Sequence, residues 1–194
     1  MRKNAVDEAW DLSSACMPTF QFLLDRGYTL RDGQENSVWF VSERVTVHVF
    51  RDVRGSNLNE TISLVGTPYS DVGFQEMEIA LGRTAVDVYR PATPEELNTD
   101  LDAIRDRLVE LPVGVLDGST SVWEELLSRV SLVRNLATKL GNERAAGAVP
   151  IDRRSATPMG LDRVKGLVDR SRQELIEAFQ DVLKNIGPFP EGSN

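Results

Sequence analysis

The sequence predicts an α+β protein in which an N-terminal helix and an antiparallel meander of three to five strands precede a three-helix C-terminal part. Two observations favour this fold class. Apolar and polar residues alternate along residues 38–50, as they do on half-buried strands. After Pro94 the apolar residues recur every three or four positions instead, as they do on amphipathic helices. The change of period places the strands before the long helices.

The N-terminal helix is predicted from the stretch FQFLLDRG (20–27). Its phenylalanine and leucine side chains share one helical face, and Gly27 is well placed to end the helix. Apolar residues continue the helical pattern upstream, but Pro18 is expected to break or restart the helix there.

The strands are predicted to follow as a meander. Two alternating runs flank a polar break at residues 43–44, which indicates a β-hairpin. Residues 52–60 are rich in Asp, Gly, Ser and Asn and predict a turn, after which residues 61–66 predict a third strand. Residues 74–81 suit either a strand or a short helix, and residues 84–90 predict a further strand.

The C-terminal part has the clearest helical signals. Thr93 is a suitable N-cap and Pro94 suits the first helical position, ahead of a stripe of leucines. A second helix carries Trp123 and is predicted to end at Gly141. A third helix is predicted over residues 161–186, where a Gly-Pro pair ends it.

These elements predict four parts along the chain. They are an α/β meander part (1–92), a helical hairpin packed on it (93–140), a flexible linker (141–160) and a C-terminal amphipathic helix (161–187).

Composition and charge exclude some classes of function. The formal net charge is −8, which argues against nucleic-acid binding because phosphate contacts need clustered Lys and Arg. The sequence contains no stretch of 18 apolar residues, so no membrane span is expected. A single cysteine, Cys16, cannot form an internal disulfide, so a cytoplasmic location is expected.

The sequence offers little catalytic chemistry. His48 is the only histidine, so the nitrogen and sulfur ligands are too few for zinc, and no cofactor is expected. No nucleophile, phosphate-binding or dinucleotide-binding motif is present. His48 is expected to be a half-exposed strand residue. The alternative is a hydrolase whose site lies around His48 and Asp52, which share a face if the strand continues.

The stretches FQFLLDRGY, VWFVSERVTVHVFRD, LVG and PEELNTDLDAIRDRLVELPVGVLDG follow one another in a characteristic order. Over residues 18–127 this order resembles a group of small bacterial α+β proteins of uncharacterised function, some of them suspected of neutralising toxins as immunity proteins. The resemblance implies the α+β fold and an immunity-like role, and it supplies no catalytic residues. The predicted helix 161–186 lies outside it.

Two surfaces are candidate partner sites. Asp102, Asp106 and Glu110, here called the acidic ridge, recur every four residues opposite the leucine stripe and suit a basic partner. The C-terminal helix has a broad apolar stripe that includes Leu175, Phe179, Val182 and Leu183.

The function predicted from these features is a non-catalytic protein-interaction module, either an immunity-like inhibitor or an assembly component. The partner is expected to be a protein, with no nucleic acid and no membrane involved. The alternatives are a homo-oligomeric scaffold assembled through the C-terminal helix and the hydrolase already described.

Overall fold

The computed structural model describes residues 11–32, 36–52, 57–68, 70–83, 89–147 and 173–189. It confirms the predicted α+β class, with N-terminal helices, a five-stranded antiparallel sheet and further helices after it. The chain divides into two compact units, each described separately below. None of the helices in the described ranges is long and apolar enough to cross a membrane.

The sheet is a simple meander in which every strand pairs antiparallel with the next, in the order β1-β2-β3-β4-β5. The predicted hairpin around residues 43–44 is confirmed as β2 and β3. The strands are β1 (Thr29–Asp32), β2 (Ser37–Val41), β3 (Val45–Arg51), β4 (Leu58–Leu64) and β5 (Val72–Gly73).

The helices also follow the predicted periods. Thr93 caps its helix as predicted, because its side chain accepts a hydrogen bond of 3.2 Å from the backbone N–H of Glu96. The helices are α1 (Leu12–Thr19), α2 (Gln21–Asp25), α3 (Phe74–Ala80), α4 (Pro94–Val109), α5 (Thr120–Gly147) and α6 (173–186).

Several element bounds differ from the predictions. Strand β4 already begins at Leu58, so the turn predicted over residues 52–60 is too long. Residues 74–81 suited either a strand or a short helix, and the structure shows the helix α3 over Phe74–Ala80. The strand predicted over residues 84–90 falls mostly outside the described residues; within them, Tyr89 forms one isolated bridge with Leu58.

The prediction that the second long helix ends at Gly141 is wrong, because α5 continues to Gly147. One glycine costs a helix only about 1 kcal/mol, and Asn, Glu, Arg and Ala after it are tolerated or favoured in helices. The first seven residues of the predicted linker are therefore helical. Residues 148–172 lie outside the described residues, so of the helix predicted over residues 161–186 only residues 173–186 are described, and these are helical.

Unit 1 holds the sheet, α1, α2, α4 and the start of α5. One face of the sheet is buried, and α1 packs against both β2 and α4. The rings of Phe20 and Phe40 lie 5.4 Å apart, centroid to centroid, within this core. The buried apolar residues on this face of the sheet are Val38, Phe40, Val45, Val47, Val49, Leu58, Ile62 and Val72, and Glu60 is buried among them.

The turn between α4 and α5 is held by two buried side chains of unit 1. The indole N–H of Trp123 donates to the carbonyl oxygen of Val115 at 2.8 Å. The hydroxyl of Tyr28 donates to the carbonyl oxygen of Leu116 at 2.5 Å. Each bond satisfies the buried polar group of an aromatic side chain and ties it to the backbone of the turn.

Unit 2 comprises most of α3, the rest of α5, and α6. Its core includes Val130, Val133, Ile176 and Phe179, all nearly inaccessible to solvent. The guanidinium of Arg134 on α5 makes two bonds with the carboxylate of Glu76 on α3, at 2.9 and 2.7 Å.

Candidate functional site

The strongest candidate site lies on the sheet face of unit 1 opposite the buried face, here called the outer face. The strand registers align its residues in rows across the sheet, and the central row runs from β1 to β5. That row is Arg31, Trp39, His48, Thr61 and Gly73. The remaining outer-face residues are Thr29, Ser37, Val41, Thr46, Phe50, Asn59 and Ser63.

Three rings stack on the outer face and are here called the aromatic stack. The indole of Trp39 and the imidazole of His48 lie 3.5 Å apart, centroid to centroid, with an angle of 6° between their planes. The imidazole and the ring of Phe50 lie 4.6 Å apart at 20°. His48 is therefore enclosed on both faces of its ring, although all three side chains stay half-buried.

The edge of the imidazole also has a partner. Nε2 of His48 and the hydroxyl oxygen of Ser37 are joined by a hydrogen bond of 2.7 Å, whose donor depends on the tautomer of the imidazole. Burial lowers the pKa of His48 from its ordinary value of 6.5 to about 4, and the negative charge of Asp71 opposes that shift.

This environment limits what His48 can do chemically. An imidazole with a pKa of about 4 is neutral at pH 7 and is a weak general base, since efficient bases have pKa values near the working pH. The sequence suggested Asp52 as its carboxylate neighbour, whereas the structure adds Asp71 as a charge that acts on the ring.

A shallow pocket of about 520 Å³ opens next to the aromatic stack. It lies where β1 to β4 meet the turn that follows β4, and its volume falls in the range of small-ligand pockets. Its walls combine an indole, a guanidinium, aliphatic groups and hydroxyls. The lining residues are Arg31, Trp39, Val41, Thr46, Ser63, Leu64, Val65 and Gly66.

The charge of the outer face differs from that of the chain. The chain has 30 acidic residues, yet none of the twelve residues of the outer face carries a carboxylate. Arg31 is the one charged side chain in that set when His48 is neutral, and it is exposed. The outer face is therefore locally cationic at one point on a chain whose net charge is −8.

The acidic ridge lies on α4 in unit 1, as the helical period predicts. Asp102 and Asp106 are 52% and 63% exposed, and Glu110 is exposed at the end of the helix. The guanidinium of Arg105 lies 2.7 Å from a carboxylate oxygen of Asp102 and 2.7 Å from one of Asp106. This bridge neutralises part of the ridge.

The predicted stripe of the C-terminal helix lies on α6 in unit 2. Phe179 is 1% exposed and belongs to the core of that unit, so it is not a surface contact in this structure. Leu175, Val182 and Leu183 are half-buried. The structure thus places three of these four predicted contact residues at least partly on the surface.

Cys16, Glu76 and Glu78 have structural roles. Cys16 is fully buried, and burial raises the pKa of its thiol to about 12, so it is not a reactive thiolate. Glu76 pairs with Arg134, and Glu78 lies 3.4 Å from Arg83. Within the described ranges, no three His, Cys, Asp or Glu residues are grouped as metal ligands would be.

Sequence reasoning identified His48 but did not single out Trp39 or Arg31 as its companions. The alternation along residues 38–50 placed Thr46 and Phe50 on the face of His48, but it predicted residue 40 or 42, and not Trp39, across the hairpin from them. The stacking of Trp39 on His48 depends on the register of β2 against β3, which pairs the two residues directly. Comparison of the chain with protein-family models, curated proteins and solved structures finds no match.

Proposed function

We propose that this chain is a non-catalytic protein-interaction module that binds its partner through the outer face. The observation that carries the proposal is the contrast between this face and the chain as a whole. A half-exposed Trp39 and an exposed Arg31 lie side by side on a face whose twelve strand residues include no carboxylate, in a chain with 30 acidic residues.

Trp39 and Arg31 are the outer-face residues of the types that bind partners most strongly. Binding energy at protein interfaces concentrates on Trp, Tyr and Arg, and acidic residues are depleted from interface cores. The aromatic stack also makes the surface rigid, because each ring restricts its neighbour. A rigid surface loses little side-chain entropy when it binds.

The chemistry of His48 supports a non-catalytic role. Its ring is enclosed by Trp39 and Phe50, its Nε2 is bonded to Ser37, and its pKa is about 4. These features suit a neutral packing residue better than a general base. The immunity-like inhibitor and the assembly component of the sequence analysis both remain specific forms of this proposal.

The experiment uses the full chain as bait in a lysate of its native cells, followed by affinity measurements with the recovered protein. Two variants place a negative charge on the outer face, Thr61→Glu in the central row and Ser63→Glu at the pocket. The control reverses the acidic ridge with Asp102→Lys, Asp106→Lys and Glu110→Lys. We expect each outer-face variant to weaken binding about tenfold or more, and the control to leave the affinity within about twofold.

The other outcomes decide against parts of the proposal. Wild-type affinity in both outer-face variants would remove the outer face from the interaction. If the ridge reversal alone abolished binding, the acidic ridge would be the docking surface. Recovery of only the chain itself, together with a mass that rises with concentration, would favour the homo-oligomeric scaffold. An enzymatic activity lost in His48→Ala but not in Thr61→Glu would favour the hydrolase.

A further inference from the structure

We propose that the pocket binds an acidic, extended segment of the protein partner, with an apolar side chain against Trp39 and Val41 and a carboxylate against Arg31. This inference rests on the proposed function and names the chemistry that the outer face recognises. Its evidence is the charge of the pocket, its apolar walls and the size of the surface around it.

The charge argument concerns Arg31. Its side chain makes no ion pair or hydrogen bond with any residue in the described ranges, and no carboxylate belongs to the outer face or lines the pocket. A guanidinium presents donors in a fork that matches a carboxylate. A carboxylate of the partner could therefore pair with Arg31 without displacing an ion pair from the described residues.

The apolar argument concerns the walls beside Arg31. Trp39 is paired with Arg31 across β1 and β2, and Val41 is the next residue of β2 on the same face. Val65, which also lines the pocket, is 46% exposed and adds apolar surface to it. An apolar side chain of a partner would cover these groups and exclude water from them.

The hydroxyls of the pocket suit the backbone of such a segment. Thr46 and Ser63 face each other across β3 and β4, and both line the pocket. Hydroxyl groups both donate and accept hydrogen bonds, so they can pair with peptide N–H and C=O groups. Side chains of an extended segment alternate between two sides, so the apolar residue and the acidic residue that both point to the pocket are two positions apart.

The size of the outer face favours a segment over a second copy of the chain. Five strands about 4.8 Å apart span about 19 Å, and five residues along a strand span about 17 Å. A stable interface buries about 800 Å² on each partner, which exceeds a patch of these dimensions. The twelve outer-face residues of a second copy would also bring no carboxylate to Arg31.

The experiment titrates a capped peptide, Gly-Ser-Leu-Ser-Asp-Ser-Gly, into the ¹⁵N-labelled full chain and follows backbone and indole signals by NMR. The matched peptides replace Asp by Asn or Leu by Ala. We expect saturable shifts at Trp39, Val41 and Thr46, and weaker binding of each matched peptide by about fivefold or more. Arg31→Gln should remove the preference for Asp over Asn. Arg44→Gln, an exposed arginine in the turn between β2 and β3, should preserve that preference.

Three results would overturn the inference. These are equal affinity for the Asp and Asn peptides, a preference for Asp that survives Arg31→Gln, and no saturable shift at Trp39 or Val41 with the peptide at about 10 mM. The same titration is repeated with a small acid, 4-methylpentanoate, which combines an isobutyl group with a free carboxylate. Binding of this small acid as tightly as the peptide would assign the pocket to small molecules instead.

Failure of this inference can be told apart from failure of the proposed function. If the recovered partner fails to bind Thr61→Glu but binds Arg31→Gln as tightly as the wild type, Arg31 is not the anchor. In that case the proposal of an interaction module that binds through the outer face is retained. If the partner binds both variants as it binds the wild type, the outer face is not the docking surface and both proposals fall.

Discussion

The imidazole of His48 lies parallel to the indole of Trp39, with the two centroids 3.5 Å apart and the planes 6° apart. The pairing follows from the register of β2 and β3, which places the two residues directly opposite each other. With the ring of Phe50 on the other side, the aromatic stack covers both faces of the imidazole. This burial is the main reason why the pKa of His48 falls to about 4.

The first prediction concerns the pH dependence of stability. The pKa of His48 is 6.5 ordinarily and about 4 in the fold, so between these values the unfolded chain binds more protons than the folded one. The free energy of unfolding therefore decreases as the pH falls from about 6.5 towards 4, and the full contribution is present above 6.5. NMR titration of the His48 ring protons should give a midpoint near 4.

The control for this prediction is His48→Phe, which keeps an aromatic ring in the stack and cannot titrate. Urea unfolding at pH 7.5 and at pH 5 should show a larger loss of stability in the wild type than in the variant. Because both proteins share their other titratable groups, the difference isolates His48. A ring-proton midpoint above pH 6 would contradict the prediction.

The second prediction concerns a clamp within unit 2. The side chain of Arg129 is 2% exposed, and its Nη2 donates to the carbonyl oxygens of Gly187 and Pro188 at 3.1 and 2.9 Å. Its Nε donates to Glu125 at 2.6 Å. We expect Arg129→Met to destabilise unit 2 by about 2 kcal/mol, because two backbone carbonyls and the carboxylate of Glu125 lose a charged donor. Hydrogen exchange along α6 should become faster.

Two facts bound the size of that effect. Nη1 of Arg129 is buried without a hydrogen-bond partner among the described residues. The cost of burying it reduces the net free energy that the clamp, meaning the bonds of Arg129 to Gly187, Pro188 and Glu125, adds to stability. The control is Arg134→Met, since Arg134 is 43% exposed and its pair with Glu76 should contribute about 1 kcal/mol or less. Equal stability losses in chemical denaturation of the two variants would refute the clamp.

The third prediction concerns Gly118, in the turn that precedes α5. Its φ is +69°, and a Cβ at this position would lie 2.5 Å from the Cβ of Arg44. Gly118→Ala therefore combines left-handed backbone strain with a steric overlap, and we expect a loss of about 3 kcal/mol. The thermal midpoint of unfolding measures this loss.

Gly27 is the matched control for Gly118. Its φ is +88°, but nothing lies within 4 Å of a Cβ built there. Gly27→Ala should therefore show the backbone strain alone, about 1 kcal/mol. Similar thermal midpoints for the two alanine variants would mean that the turn moves away from Arg44 at little cost, and the tight approach would have no energetic importance.

Much of the fold follows from local patterns in the sequence. The leucine stripe of α4 is buried at Leu97, Leu101, Ile104 and Leu108, because residues three and four apart share one face of any α-helix. The cap at Thr93 and the hairpin of β2 and β3 are equally local. Strands β1 and β5 were missed individually, since four and two residues carry too little alternation to identify a strand.

The candidate site depended on tertiary structure instead. The sequence by itself determined that His48 lies on a strand, that the chain is acidic, and that α4 presents a ridge of carboxylates. Which residues surround His48 was decided by the pairing of β2 with β3, and Arg31 joins them only because β1 pairs with β2. The physical reason is that side-chain period is a local property of the backbone, whereas cross-strand neighbours are set by register. A shift of register by one residue would place Trp39 against a different partner and move it to the opposite face.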